Sequence, residues 1–279
     1  MTEIPIQQDR LKRIKTDHSL ELTGRGADAI VYRVTQVRDG ARVATGKVLK
    51  TIQPKEADGL SYEDKIRQLL LQALEMRRQR ALLTHHFSQG QEFSQKPLLT
   101  NVIPQIDPPF ISDLNEEPHL CVFQEDLDPN APPHRDSTTM LDERELRSVY
   151  SLTAREVRAR PQILLELNIF VSRVRALMAS GLLAPDEDLM LVPKNFSLSH
   201  RGEIALPDLF PIERAGDPAN TSRLDSSVGI AVIEKRMLKR PISPRDPFYE
   251  DLFQFMQEEG LETPEEAFTA HYAPWLRHG

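Results

Sequence analysis

The sequence predicts an α+β protein in which antiparallel strands near the N-terminus are followed mainly by helices. Residues 22–50 (LTGRGADAIVYRVTQVRDGARVATGKVLK) combine extended apolar runs with turn residues, which is typical of a strand, a glycine-rich turn and a hairpin. Residues 62–86 carry apolar side chains among charged ones, which predicts a long amphipathic helix. Residues 161–180 predict a second, more apolar helix that begins at a proline and ends before a glycine.

Composition restricts the class of protein. The chain has 279 residues, 39% of them hydrophobic, which is enough for one large domain or two lobes with a core. Its net charge of -7 argues against nucleic-acid binding through a broad basic surface. The single cysteine, Cys121, cannot form an internal disulfide and favours a reducing compartment.

The sequence also indicates where the protein is found. No apolar run reaches the length of a membrane span, so we expect no membrane partner. The polar N-terminus does not resemble a signal peptide, so we expect a cytoplasmic protein. A protein exported by a dedicated machinery would have the same features.

The glycine-rich turn is the first candidate binding element. Gly24 and Gly26 are followed by Ala29 at the position of a third glycine, by Val31, and later by Lys47 on the last strand. Glycines let the backbone approach phosphates closely, and a lysine supplies a positive charge for them. A strand, and not a helix, follows the glycines, which argues against a dinucleotide-binding Rossmann turn. The alternative is a chance glycine spacing in a β-turn.

A second candidate site lies in residues 181–210. Asn195 precedes an apolar strand, a turn at residues 200–202 follows, and a second strand leads to Asp208. A hairpin folds its two ends together, so the amide oxygen and the carboxylate should converge, and hard oxygen ligands of this kind suit Mg²⁺. The alternative is a plain hairpin with two common turn residues at its ends.

In chain order, these features resemble those of protein kinases over residues 20–210. The resemblance implies two lobes. Residues 1–127 would form a small antiparallel sheet with one long helix, and residues 128–279 a reduced, mainly helical lobe. It also implies ATP and Mg²⁺ as ligands, and a protein substrate or partner besides the nucleotide.

The resemblance assigns roles in the first lobe. The backbone at Gly24 and Gly26 would cover the phosphates, and Lys47 would hold them. Glu75, in the middle of the long helix, would pair with Lys47, with Glu63 as the fallback. The alternative for Glu75 is a surface side chain that contacts neighbouring arginines of its own helix.

The remaining binding roles fall on three segments. Val31 would lie over the adenine, and Phe123 would lie near the back of its pocket. Glu125 would belong to a hinge whose backbone groups are free to bind adenine, although a buried strand with nothing bound is equally compatible. Asn195 and Asp208 would be the two metal ligands.

The sequence departs from the kinase pattern at the catalytic base. Met190 stands five residues before Asn195, where the family has its aspartate. A displaced acid could take this role, and Asp188 is the first choice, ahead of Asp186 and Glu187. The alternative is that all three are solvated loop acids.

Three functions follow from these features. The first is a divergent kinase-like phosphotransferase that depends on ATP and Mg²⁺, with an acceptor that the sequence does not identify. The second is a pseudokinase, a nucleotide-binding or scaffolding module without transfer. The third is an α+β interaction protein with no nucleotide site. Nucleotidyl transfer in place of phosphoryl transfer is also open.

Overall fold

The computed structural model contains seven α-helices and nine strands within the residues that it describes. The predicted α+β class is confirmed, and the largest sheet is antiparallel with five strands. The chain divides into two compact units, residues 1–78 with 104–145 and residues 79–103 with 146–279. The described ranges are residues 4–25, 29–38, 41–54, 59–88, 99, 102–129, 146–214 and 223–273.

The first unit contains the five-stranded sheet, in the order β1-β2-β3-β5-β4. Residues 1–20 mix charged and apolar side chains and predict a short arm before the first strand. The structure has a short helix, α1, before the sheet instead. The long helix α2 (Tyr62–Ser88), predicted over residues 62–86, carries the chain from this unit into the second. The other elements of the unit are α1 (Arg10–Asp17), β1 (Ser19–Arg25), β2 (Ala29–Arg38), β3 (Ala41–Ile52), β4 (Phe110–Leu114) and β5 (Glu117–Glu125).

The register of the sheet determines which side chains share a face. Tyr32, Leu49 and Phe123 are directly paired across β2, β3 and β5, and they lie on the face that packs against α1. Cys121 is fully buried on this face. Because successive side chains of a strand point to opposite faces, residues one position away lie on the other side of the sheet.

The second unit is mainly helical and has two small antiparallel sheets, β6-β9 and β7-β8. Its core includes a stack of Phe87, Phe170 and Phe196, with ring centroids 5.4 Å and 4.6 Å apart. Its elements are α3 (Ala154–Ala159), α4 (Pro161–Ala179), β6 (Glu187–Leu189), β7 (Ser197–Leu198), β8 (Ile204–Ala205), β9 (Ile212–Arg214), α5 (Leu224–Val232), α6 (Glu250–Glu259) and α7 (Pro264–His271).

One predicted helix of this unit is wrong in its described part. The sequence predicts a helix over residues 141–157, but the structure has a short 3-10 turn at Val149–Ser151 and starts α3 only at Ala154. Thr153 begins α3 through a capping box with Glu156, which satisfies backbone N–H groups at that point. Among the described residues, none of the helices combines the length and the apolar character that a membrane span requires.

Candidate functional site

The β7-β8 hairpin brings Asn195 and Asp208 together. Asn195 lies just before β7 and Asp208 lies just after β8, and the two strands pair in antiparallel register. Nδ2 of Asn195 donates a hydrogen bond to Oδ2 of Asp208 over 3.0 Å. The hairpin therefore brings the two side chains together as predicted, but the amide meets the carboxylate through its nitrogen and not through its oxygen.

Local hydrogen bonds fix both side chains of this pair. Oδ1 of Asp208 accepts the backbone N–H of Phe210 at 3.0 Å, which leaves Oδ2 for Asn195. Asn195 is buried, and its Nδ2 also lies 3.0 Å from the sulfur of Met190. Met190, which the resemblance to kinases would place at the position of the catalytic aspartate, therefore contacts the candidate metal ligand.

Arg80 of α2 is a third member of this site, which sequence reasoning missed. Its side chain is buried, and one terminal nitrogen, Nη1, donates to the backbone carbonyl of Asp208 over 3.3 Å. Burial lowers the pKa of Arg80 to about 10, while the charge of Asp208 opposes this effect. The guanidinium therefore stays positively charged at neutral pH.

The sequence contained a signal for Arg80. The buried residues of α2 recur at spacings of three and four, at Leu69, Ala73, Met76, Leu83 and Phe87. Position 80 continues this stripe, so its side chain shares the buried face of the helix. Arginine is seldom fully buried, so an arginine on an apolar stripe would have stood out from Arg77 and Arg78, which are only partly buried.

Gln79, the residue before Arg80, anchors β9 to the same helix. Its side-chain amide donates to the carbonyl of Ile212 and accepts from the N–H of Ile212, both over 3.0 Å. The amide is buried and replaces the backbone partners that a longer strand would provide. This contact fixes the segment that follows Asp208 relative to α2.

Asp188, the predicted base, is engaged in the interior of the second unit. Its carboxylate accepts hydrogen bonds from the N–H of Leu189 at 2.8 Å, from the N–H of Ser226 at 3.1 Å, and from the hydroxyl of Ser226. Burial is the main cause that raises the pKa of Asp188 to about 7. A base must reach an acceptor hydroxyl, so this geometry fits a structural role at the start of α5.

The neighbouring acid Glu187 is also held by structural contacts. Its carboxylate accepts two hydrogen bonds from the guanidinium of Arg214, at 3.1 Å and 3.0 Å, across the β6-β9 pair. It also accepts from the backbone N–H of Ala184 at 3.0 Å. Glu187 is buried, so of the three acids considered from sequence only Asp186 lies on a partly exposed position.

Lys47 does not pair with Glu75. Its ammonium donates to a carboxylate oxygen of Asp107 at 2.6 Å, and the two side chains are 48% and 44% exposed. Glu75 instead accepts two hydrogen bonds from Arg78 of its own helix, at 2.9 Å and 2.7 Å. The surface alternative that the sequence left open for Glu75 is the one that the structure contains.

The side of the sheet to which Lys47 points explains why it pairs with Asp107 and not with Glu75. Lys47 has the same parity as Leu49, so it points to the α1 side of the sheet, where a cavity of about 530 Å³ includes Lys47, Asp107 and Phe123 in its wall. Lys50, three residues later, points to the opposite face and lies directly across from Val31 and Val122. Lys50, which no sequence pattern indicated, is therefore the β3 lysine on the face of Val31.

The predicted hinge has fewer free backbone groups than expected. The N–H of Glu125 donates to the carbonyl of Gln105 at 3.1 Å, and the carbonyl of Phe123 accepts from the N–H of Asp107 at 2.9 Å. A segment before β4 thus covers this edge of β5 and takes up the groups that adenine would need. The side chain of Phe123 lies on the α1 face, with that of Lys47.

The glycine-rich turn is described only in part. Gly24 lies in β1, beside a register shift, and pairs with Val31 of β2. Ala29 begins β2, so the predicted strands on both sides of the turn are present. Gly26 lies outside the described residues.

Comparison of the sequence with protein-family models and with curated proteins finds no match. Within the part of the chain that the structure describes, there is no cluster of three or more His, Cys, Asp or Glu side chains that could hold a metal ion. The resemblance to kinases therefore rests on the residues quoted above, and a metal at Asn195 and Asp208 would need further oxygen ligands, such as phosphates.

Proposed function

We propose that this chain is a divergent kinase-like protein that binds ATP together with Mg²⁺, and that its reaction class is phosphoryl transfer. The observation that carries the proposal is the 3.0 Å contact between Asn195 and Asp208 across the β7-β8 hairpin. In this contact the amide nitrogen of Asn195 faces the carboxylate. Rotation of the amide group would bring its oxygen beside the carboxylate, and an amide oxygen and a carboxylate oxygen are suited to bind one Mg²⁺ that also contacts nucleotide phosphates.

The proposal changes one role in the first unit. Lys50 replaces Lys47 as the phosphate-binding cation, because Lys50 shares a face with Val31 and Lys47 does not. Gly24 keeps its proposed role beside the phosphates, since it pairs directly with Val31.

A pseudokinase is the second candidate, and the position of Asp188 favours it. Both carboxylate oxygens of Asp188 accept hydrogen bonds inside the fold, and Met190 stands at the usual position of the base. Phosphoryl transfer depends mainly on positioning and charge neutralisation, so a missing base slows transfer without abolishing it. We therefore expect nucleotide binding with slow transfer, and binding without any transfer would make the protein a pseudokinase.

Thermal unfolding with and without ATP and Mg²⁺ tests the binding step. A ligand that binds only the native state stabilises it by about 2.7 kcal/mol at a concentration of about 100 Kd. We expect the ligand-induced rise in melting temperature to disappear in Asp208→Ala and to persist in Glu258→Ala, which changes an exposed acid on α6. No rise for the wild type at millimolar nucleotide would favour an interaction protein without a nucleotide site.

Transfer of radiolabel tests the reaction. Label from γ-labelled ATP on the protein or on added acceptors would indicate a phosphotransferase, and label from α-labelled ATP would indicate nucleotidyl transfer. Binding without either would indicate a pseudokinase. Transfer that continues in Asp208→Ala would contradict the metal role that we propose.

A further inference from the structure

The buried guanidinium of Arg80 lies beside a candidate metal ligand, Asp208, and the proposed function gives it no role. Arg80 is 5% exposed, and its Nη1 lies 3.3 Å from the carbonyl oxygen of Asp208. Burying a charge is unfavourable unless an opposite charge lies close to it. The carboxylate of Asp208 favours the charged form of Arg80 and so meets this condition in part.

The formal charges of the three described side chains named here cancel. Asn195 is neutral, Asp208 contributes one negative charge, and Arg80 contributes one positive charge. A protein site that binds a divalent cation in the absence of nucleotide phosphates provides several carboxylate and carbonyl oxygens, and its net charge is negative. A cation that approaches Asp208 is instead repelled by Arg80, and this repulsion is strong because burial reduces the screening by water.

We propose that Arg80 makes the Asn195–Asp208 pair selective for a metal–triphosphate complex over the free divalent cation. The complex carries net negative charge, so Arg80 attracts it, whereas the free cation is excluded. This inference rests on the proposed role of Asp208 as a metal ligand. Arg80 acts on the metal through charge and is a positioning residue.

Titration with Mn²⁺ alone, followed by electron paramagnetic resonance of the free ion, tests the inference. The wild type should bind Mn²⁺ weakly, and Arg80→Gln should bind it at least about tenfold more tightly, because the repelling charge is gone. Arg80→Lys keeps the charge and should behave as the wild type. Arg78→Gln removes an exposed arginine of the same helix and should also leave Mn²⁺ binding unchanged.

A double variant tests whether the Mn²⁺ affinity gained in Arg80→Gln depends on the carboxylate of Asp208. Asp208→Asn in the Arg80→Gln background should remove the gained Mn²⁺ affinity. Arg80→Met, which replaces the unbranched part of the buried side chain without its charged end, is the second neutral variant if Arg80→Gln does not fold. A merely structural arginine would change stability in these variants but would not raise the affinity for Mn²⁺.

Three results would overturn the inference: tight Mn²⁺ binding by the wild type, equal Mn²⁺ affinity of Arg80→Gln and the wild type, or a gain in Arg80→Lys as large as that in Arg80→Gln. Failure of the proposed function has a different readout. In that case ATP with Mg²⁺ gives no thermal stabilisation of the wild type, whatever the Mn²⁺ titrations show.

Discussion

Burial determines what a titratable side chain can do, and Asp188 is an example. From sequence, Asp188 is an acid that precedes the candidate metal ligand by a few residues. In the structure it lies in β6, and its carboxylate accepts the N–H and the hydroxyl of Ser226 at the start of α5. The sequence could not reveal this contact, because Ser226 lies 38 residues further along the chain.

We expect Asp188→Asn to weaken the dependence of stability on pH. Burial raises the pKa of Asp188 to about 7, with Asp225 adding to this effect, so the folded protein keeps a proton that the unfolded chain has lost. The stabilisation is complete below the ordinary pKa of about 4 and is lost as the pH rises through about 7. The variant should remove a slope of up to about 1.4 kcal/mol per pH unit in that range.

Urea unfolding across this pH range is the measurement. Ser226→Ala retains the carboxyl group but removes one hydroxyl donor to it, so the decline in the free energy of unfolding with pH should remain. The same slope in Asp188→Asn and the wild type would show that Asp188 does not titrate in the folded protein in this range.

Breaking a buried ion pair in the first unit should lower the free energy of unfolding more than breaking an exposed one. Nε of Arg33 lies 2.8 Å from a carboxylate oxygen of Asp126, and both side chains are almost fully buried. Asp126→Ala should reduce the free energy of unfolding by about 3–5 kcal/mol, because it leaves a buried charge without its partner. Asp9→Ala, which breaks the exposed pair with Lys12, should change it by less than about 1 kcal/mol.

Chemical denaturation of both variants at one pH would measure these two losses. Equal losses in Asp126→Ala and Asp9→Ala would mean that burial does not determine the strength of the pair. A loss in Asp126→Ala below about 1 kcal/mol would lead to the same conclusion.

Helices with clear end signals could be predicted from the sequence. Pro161 starts α4, as the sequence predicted. The same kind of signal stands at two other helix ends, where Gly260, with φ of 67°, ends α6 and Thr263 caps α7 with Glu266. The helix predicted over residues 141–157 failed because its apolar pattern did not reveal the later start at Thr153. Local propensity is a weak guide where the chain is anchored by buried side chains such as Tyr150.

Strand faces were harder to predict than strands. The segments of β1, β2, β3 and β5 were expected, but the face of each lysine depends on register, and the β2-β3 pair contains an irregularity between Arg33 and Thr35. Such a shift changes which residues lie opposite each other. The sequence favoured Lys47 because of its place in the chain order, which does not reveal the face of β3 on which a side chain lies, whereas the register places Lys50 on the face of Val31.

The two lysines of β3 should have different effects on nucleotide binding. Lys50→Met should remove the thermal stabilisation by ATP and Mg²⁺, because Lys50 is the cation on the face of Val31. Lys47→Met should retain it and should cost less than about 1 kcal/mol of stability, since the pair with Asp107 is exposed. The opposite pattern would restore Lys47 to the role that the sequence first assigned to it.

At the scale of the whole molecule, the predictable part of the site was the part built from one local hairpin. Asn195 and Asp208 are 13 residues apart, and a hairpin was enough to predict that they meet. Arg80 reaches the same site from 128 residues away. No local pattern encodes a contact of that separation, although the stripe of α2 indicated that Arg80 is buried.

The buried thiol of Cys121 is an intrinsic reporter of opening in the first unit. It is the single cysteine of the chain, it has no exposed surface, and burial raises its pKa to about 12. A disulfide reagent such as DTNB should therefore react only when the sheet around β5 opens. We expect slow labelling under native conditions and an acceleration with urea, followed by the absorbance of the released thiolate.

Labelling kinetics would also separate the two units. The second unit contains no cysteine, so labelling reports only on the first unit. If denaturant disrupts the aromatic core of the second unit first, near-ultraviolet circular dichroism will change at a lower denaturant concentration than the labelling rate. Identical midpoints of these two transitions would instead indicate one cooperative transition. Labelling complete within the mixing time would mean that Cys121 is accessible in the native state. The protein thus reports the opening of its N-terminal sheet without any engineered probe.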